Sequence, residues 1–217
     1  MKRIPEPELM TDEEQAIAYA NADFKEPHNH FLELLTASVG NKLPESGTAI
    51  DLGCGAADIS IRFAKVFPDY QIDALDGSEA MLAEGVKAIN AAGLTRINLI
   101  QVYLQETTLT DKEYDLIFSN SLLHHLHDPM LLWNAVKVAK GNPSIFIMDL
   151  MRPETAGQVD NLVNEYAQDE PEILQRDFRN SLKAAFTPDE VVLQLAPAGL
   201  DGLKVTVVSD RHMTISS

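Results

Sequence analysis

The sequence predicts an α/β fold in which a mostly parallel sheet is covered by helices on both faces. Short apolar runs alternate with amphipathic stretches along the chain. The first core run, TAIDL (48–52), breaks at Gly53-Cys54-Gly55, and the second, YQIDAL (70–75), ends at Asp76. Glycines at the tip of one strand and a carboxylate at the tip of the next place a ligand site at the carboxyl edge of a parallel sheet.

Before the sheet, Thr11 and Glu14 have the spacing of a capping box, ahead of a stretch bearing Ile17 and Phe24. Pro27 and His28 lead into a second helical pattern through Phe31, Leu34 and Leu35. Residues 1–45 therefore read as a helical cover. After the first strand, Ile59, Ile61, Phe63, Ala64 and Phe67 mark a helix over 57–67 that Pro68 ends. Following the second strand, Ser78 is an N-cap and Gly93 a C-terminal stop for a helix over 78–92. Strands follow at 97–102 and 114–119. Asp128-Pro129 opens a helix carrying Leu132, Val136 and Ala139, and SIFIMDL (144–150) is the fifth strand. Residues 153–186 carry helical patterns on either side of Asp169-Glu170-Pro171-Glu172. Thr187-Pro188-Asp189-Glu190 starts a further helix with its own capping box. The runs 203–208 and 213–215, separated by Ser209-Asp210-Arg211, read as an antiparallel final pair.

With 217 residues the chain is expected to form one domain with a sizeable core. No apolar stretch reaches the roughly 20 residues of a membrane helix, and the N-terminus lacks the apolar segment of a signal peptide. A cytoplasmic location is expected. Cys54 is the single cysteine, so no intrachain disulfide forms; without a basic neighbour in sequence it reads as a small filler. A formal net charge of −16 disfavours nucleic acid as a partner.

Asp76 is suited to accept from the two hydroxyls of an adenosine ribose, a feature shared by nicotinamide dinucleotides and S-adenosylmethionine. The position after the glycine pair separates them. A GxGxxG site places glycine at 58 beside a pyrophosphate, but Asp58 stands there and competes for the same helix N–H groups. S-adenosylmethionine has no phosphate and carries ammonium and sulfonium groups that tolerate an acidic surround.

The stretches AIDLGCG, ALDGSEAML, YDLIFSNSLLHHLHDP and IMDLMRPE resemble those of class I S-adenosylmethionine-dependent methyltransferases, of the small-molecule branch similar to ubiquinone and menaquinone C-methyltransferases. The resemblance implies a Rossmann-like seven-stranded sheet of order 3-2-1-4-5-7-6 with strand 7 antiparallel. It implies further that Asp51, Gly53 and Gly55 face the methionine moiety and that Asp76 holds the ribose. Gly77, Ser78 and Met81 would lie beside the adenosine, Asn120 and Leu122 near the sulfonium, and Tyr19 and His28 would close the pocket. Two departures stand out. Where such enzymes carry an acid for the adenine amino group, this chain has Gln101-Val102-Tyr103-Leu104-Gln105, which leaves adenine to Tyr103, Leu104 and backbone groups. Ala57 replaces a usual glycine.

Methyl transfer from a sulfonium is an in-line displacement, so holding the acceptor close and aligned is the enzyme's main contribution. A base is needed only where the acceptor loses a proton. His125, whose counterpart in the resembled motif faces the pocket, and Asp149 at the end of strand five are the catalytic candidates. The cluster His124, His125 and His127 lacks a neighbouring Cys or second His pair, so no metal is expected. Arg152, Tyr166, Phe178, Arg179, Asn180 and Phe186 are assigned to the acceptor side, and Trp133 to the core. The expected function is methyl transfer to a small-molecule acceptor, with a homodimer among the allowed assemblies. The alternatives are an NAD(P)-dependent oxidoreductase and a non-catalytic S-adenosylmethionine-binding module.

Overall fold

The computed structural model describes residues 1–7, 9–104 and 112–217. Its centre is a seven-stranded sheet: β1 (Gly47–Leu52), β2 (Tyr70–Asp76), β3 (Ile97–Gln101), β4 (Leu116–Asn120), β5 (Ser144–Leu150), β6 (Lys204–Val207) and β7 (His212–Ser216). The order is β3-β2-β1-β4-β5-β7-β6. β1 to β5 pair in parallel, and β7 is antiparallel to both β5 and β6. The topology matches the order that the resemblance implies. It places the switch point between β1 and β4, and the turns after these two strands therefore face one another across the carboxyl edge.

Strand side chains alternate between two cores, as the period of two requires. Ile50, Leu52, Ile117, Ile145 and Ile147 pack with Trp133 and Val191 on one face, while Ala49, Leu116, Phe118 and Phe146 pack with Phe31 and Phe63 on the other. The first face is covered by α5 (Met130–Val138) and α8 (Pro188–Ala198), the second by α2 (Lys25–Val39) and α3 (Asp58–Val66). Trp133 is fully buried and its indole N–H donates to Gln194 at 2.9 Å, the core role expected of it. α4 (Glu79–Ala92) begins at the Ser78 cap and ends at Gly93 in the left-handed conformation. α6 (Ala156–Tyr166) and α7 (Glu172–Ala184) form a separate apolar cluster with Leu150 at the end of β5.

Several expectations are displaced by small steps. α1 (Glu13–Asn21) is capped by Asp12, whose carboxylate accepts from the Gln15 N–H at 2.9 Å, and no Thr11–Glu14 box forms. Asp outcompetes Thr here because its carboxylate also meets the positive end of the helix. Ile17 is exposed, and Ala16 is the residue α1 buries. Asp128 accepts from Met130 N–H at 2.9 Å, and Pro129 occupies the cap position. The Thr187–Glu190 box is present, and so is a second at Thr155–Gln158.

Candidate active site

The turn after β1 is held to β2 through the Gly53 and Cys54 N–H groups, which donate to Leu75 O at 2.8 and 2.9 Å. Gly53 and Gly55 have φ of 74° and 53°, where only glycine is unstrained. A Cβ on Gly53 would stand 2.7 Å from a Leu122 methyl, so the turn after β4 depends on that missing atom. Ala57 also lies in the left-handed region, at φ 64°, which accounts for glycine being usual there. Cys54 is buried, and burial pushes its thiol well above its ordinary value, consistent with a filler.

The Asp76 carboxylate accepts from the N–H of Gly55 and of Ser78, each at 2.8 Å, one on each oxygen. A carboxylate oxygen has two lone pairs, and although the Gly77 backbone also acts on this carboxylate, the group keeps capacity for a further donor. Burial raises Asp76 from its ordinary value, opposed by the backbone donors. Asp51 is buried and accepts from Ser60 Oγ at 2.5 Å; burial pushes its carboxyl up to about 7. A cation brought against Asp51 therefore finds a group that gains from becoming charged. Asp58 takes His28 Nδ1 at 2.5 Å and Arg62 Nε at 2.7 Å on one oxygen. Burial opposes ionisation of Asp58, but those hydrogen bonds prevail and hold its carboxyl below the usual range.

These residues line a cavity of about 600 Å³. Every residue assigned above to the cofactor is on its wall: Tyr19, His28, Asp51, Gly53, Gly55, Asp76, Gly77, Ser78, Met81, Tyr103, Leu104, Asn120 and Leu122. Gln105 of the expected adenine stretch lies outside the described residues. Leu9, which the sequence reading missed, crosses over Gly77 beside Tyr103, with no room for a Cβ between them. Tyr19, Phe24 and His28 form an aromatic wall, with ring centroids 4.7 and 5.2 Å apart along the series. Burial near Asp58 and Asp76 pushes the Tyr19 phenol up to about 12. Ser121, between Asn120 and Leu122, has φ 57°, a strained position of the kind that clusters at ligand sites.

A second cavity of about 760 Å³ shares Tyr19, Phe24, His28, Asn120 and His125 with the first and extends to Tyr166 and Phe178. Tyr166 donates to Asp210 at 2.9 Å, and the Arg211 guanidinium stacks on its ring. The other acceptor-side assignments fall elsewhere. Arg152 is buried away from both cavities, donating to Met1 O, Ala185 O and the Glu190 carboxylate at 3.0, 2.8 and 2.6 Å. The β5 end turns into the core there, and the guanidinium is consumed by carbonyls. Asn180 and Arg179 are on neither wall, and Phe186 lies in the core under Arg3.

Asp149 also touches neither cavity. It is 1% exposed, accepts from Leu123 N–H at 2.7 Å and meets His124 Nδ1 at 2.6 Å, so it orients the turn after β4 instead of facing a ligand. His125 does line both cavities. Burial, with His124 alongside, holds its imidazolium down to about 3. Glu6 is a residue missed by the sequence reading: it comes from the N-terminal segment, which Arg3 staples to the same turn through His124 O and Leu126 O. Its long separation from the histidines hid it.

The sheet order is shared with solved S-adenosylmethionine-dependent methyltransferases. Residues 49–141, which carry β1 to α5, match the family described as a methyltransferase domain. A demethylmenaquinone methyltransferase of Bacillus cytotoxicus is 30% identical over 50% of this chain and 47% of its own. The chain thus spans about half the length of that curated relative. Two solved structures share the fold. A Methanococcus maripaludis protein assigned as an S-adenosyl-L-methionine-dependent methyltransferase has a TM-score of 0.72 at 21% identity, covering 99% of this chain and 96% of that one. The plantazolicin methyltransferase, solved with a desmethyl analogue and S-adenosylhomocysteine, has a TM-score of 0.69 at 15% identity, covering 94% and 90%. No helix among the described residues is long and apolar enough to cross a membrane.

Proposed function

We propose that the chain transfers a methyl group from S-adenosylmethionine to a small-molecule acceptor. The observation that carries this reading is Asp76, whose two oxygens each accept one backbone N–H at the wall of the cavity and keep capacity for further donors. That geometry fits the paired hydroxyls of a ribose. Residues 1–217 act as one methyltransferase domain, with 1–45 as its cover and 153–186 as its acceptor side, working in the cytoplasm and not on nucleic acid.

When bound, S-adenosylmethionine supplies an electrophilic methyl on a sulfonium. The chain supplies the rest. Asp51 pairs with the ammonium group, Gly53 and Gly55 let the backbone approach the methionine moiety, and Leu9, Gly77 and Tyr103 bracket the adenine. Asn120 and Leu122 bound the sulfonium end, where the two cavities share a wall and an acceptor in the second is held against the methyl. Alignment of this kind supplies roughly 7–11 kcal/mol of a displacement barrier.

The test is calorimetric titration with S-adenosylmethionine, S-adenosylhomocysteine and NADH, on the wild type and on Asp76→Ala. Transfer of labelled methyl groups to acceptors is then measured, beginning with demethylmenaquinone, the acceptor in that relative's name. Binding of the first two ligands, weakened at least about tenfold in the variant by loss of a charged acceptor, is expected. Binding of NADH in preference, or of neither adenosyl ligand, overturns the proposal.

A further inference from the structure

The turn after β4 and the N-terminal segment bring together three ligating atoms that methyl transfer does not use. His124 Nε2 lies 3.6 Å and His125 Nδ1 3.4 Å from the same atom, Glu6 Oε1. The three atoms all lie within 4.8 Å of one another. Glu6 Oε1 and His125 Nδ1 are both buried with no hydrogen-bond partner. An unmet polar atom in the interior is costly, and two aimed at each other mark a missing occupant.

The far nitrogen of His124 is already committed. His124 Nδ1 is held by Asp149 at 2.6 Å. The Pro7 carbonyl beside the His125 ring favours its protonated form, and His125 Nδ1 is left without a hydrogen-bond partner. In its neutral form with Nδ1–H donating to Asp149, His124 presents the Nε2 lone pair on the Glu6 side, where His125 Nδ1 also stands unpartnered. A histidine whose far nitrogen donates to a carboxylate or carbonyl is the usual form of a metal-ligating histidine. Bonds of about 2.0–2.1 Å in a tetrahedral site separate ligand atoms by about 3.3–3.4 Å, close to the two distances found. A proton shared between Glu6 and His124 would satisfy that pair but leave His125 Nδ1 facing a carboxylate unmet.

We propose that Glu6, His124 and His125 bind one divalent first-row transition cation of the zinc type. Two imidazoles, one carboxylate and no thiolate suit such an ion over calcium or magnesium. Both histidines line the second cavity, so the fourth coordination position opens toward it. Asp149 is a positioning residue for this site, acting through His124.

The test uses untagged protein stripped with a chelator and titrated with Co²⁺, followed by its visible ligand-field absorption, and with Zn²⁺ by calorimetry against a competing chelator. One ion per chain with a four-coordinate Co²⁺ spectrum is expected. Glu6→Gln and His125→Ala should each weaken binding by at least about tenfold, and Asp149→Asn by about tenfold through lost orientation. The surface variant His30→Ala should bind as the wild type does. Circular dichroism of each metal-free variant checks folding, and a Zn²⁺-dependent rise in melting temperature that is full in wild type and His30→Ala and smaller in the other variants gives a second readout. Absence of stoichiometric binding in the wild type, or equal binding in Glu6→Gln and His125→Ala, overturns the proposal.

Discussion

Replacing Gly53 by alanine tests how tightly the glycine turn and the turn after β4 are fitted together. Two costs add. The backbone at φ 74° places any Cβ in the left-handed region, which costs about 1–2 kcal/mol. The new methyl also meets Leu122, at 2.7 Å from Cδ1 and 3.0 Å from Cβ and Cδ2, and overpacking of this kind costs about 1–3 kcal/mol. The sum, about 2–5 kcal/mol, is a large part of the stability of an ordinary domain. Urea unfolding of wild type, Gly53→Ala, Leu122→Ala and the double variant separates the parts. With Leu122 truncated, most of the overlap is gone and only the dihedral cost of about 1–2 kcal/mol should remain. A Gly53→Ala penalty below about 1 kcal/mol, or one equal in both backgrounds, would refute the reasoning.

Other outcomes follow from the buried charges. Asp51 titrates near 7 when folded and near 3.8 when free, so the folded state holds the extra proton between those values. Stability therefore falls as pH rises through that window, by at most about 1.4 kcal/mol per pH unit, and Asp51→Asn should flatten the profile; pH-resolved melts measure it. Pairing Asp51 with the cofactor's ammonium should release close to one proton at pH 6, seen as a buffer dependence of the binding enthalpy that Asp51→Asn abolishes. Arg152→Met should cost about 3 kcal/mol in urea unfolding, since it leaves the buried Ala185 carbonyl unmet and Glu190 unpaired, while the KM for any acceptor stays unchanged. A raised KM with unaltered stability would return Arg152 to the acceptor side.

Most of the wall of the first cavity was legible in the sequence because it is built from strand tips, where period-two apolar runs stop at fixed places. Gly53, Asp76 and Asn120 end three parallel strands, and the sheet order alone brings them together. Residues after β5 were harder. Arg152 and Asp149 stand at a strand end like the others, but their partners, Glu190 and His124, come from distant elements. Burial and pairing of a charge depend on such tertiary neighbours, which no local pattern records. Glu6 is the extreme case: nothing near it in sequence distinguishes it from the other acids of the N-terminal segment. The Thr11 cap failed for a local reason, because Asp12 offered a stronger acceptor one residue on.

Tyr19, Phe24 and His28 belong to both cavities at once, and through the His28–Asp58 bond this wall is anchored at the start of α3, beside the glycine turn itself. A partition common to two chambers cannot be withdrawn from one without unroofing the other. If the proposed function holds, entry of the donor and departure of the spent donor would be tied to whether an acceptor is seated, and the order of arrivals and exits would become a property of three rings on the helical cover.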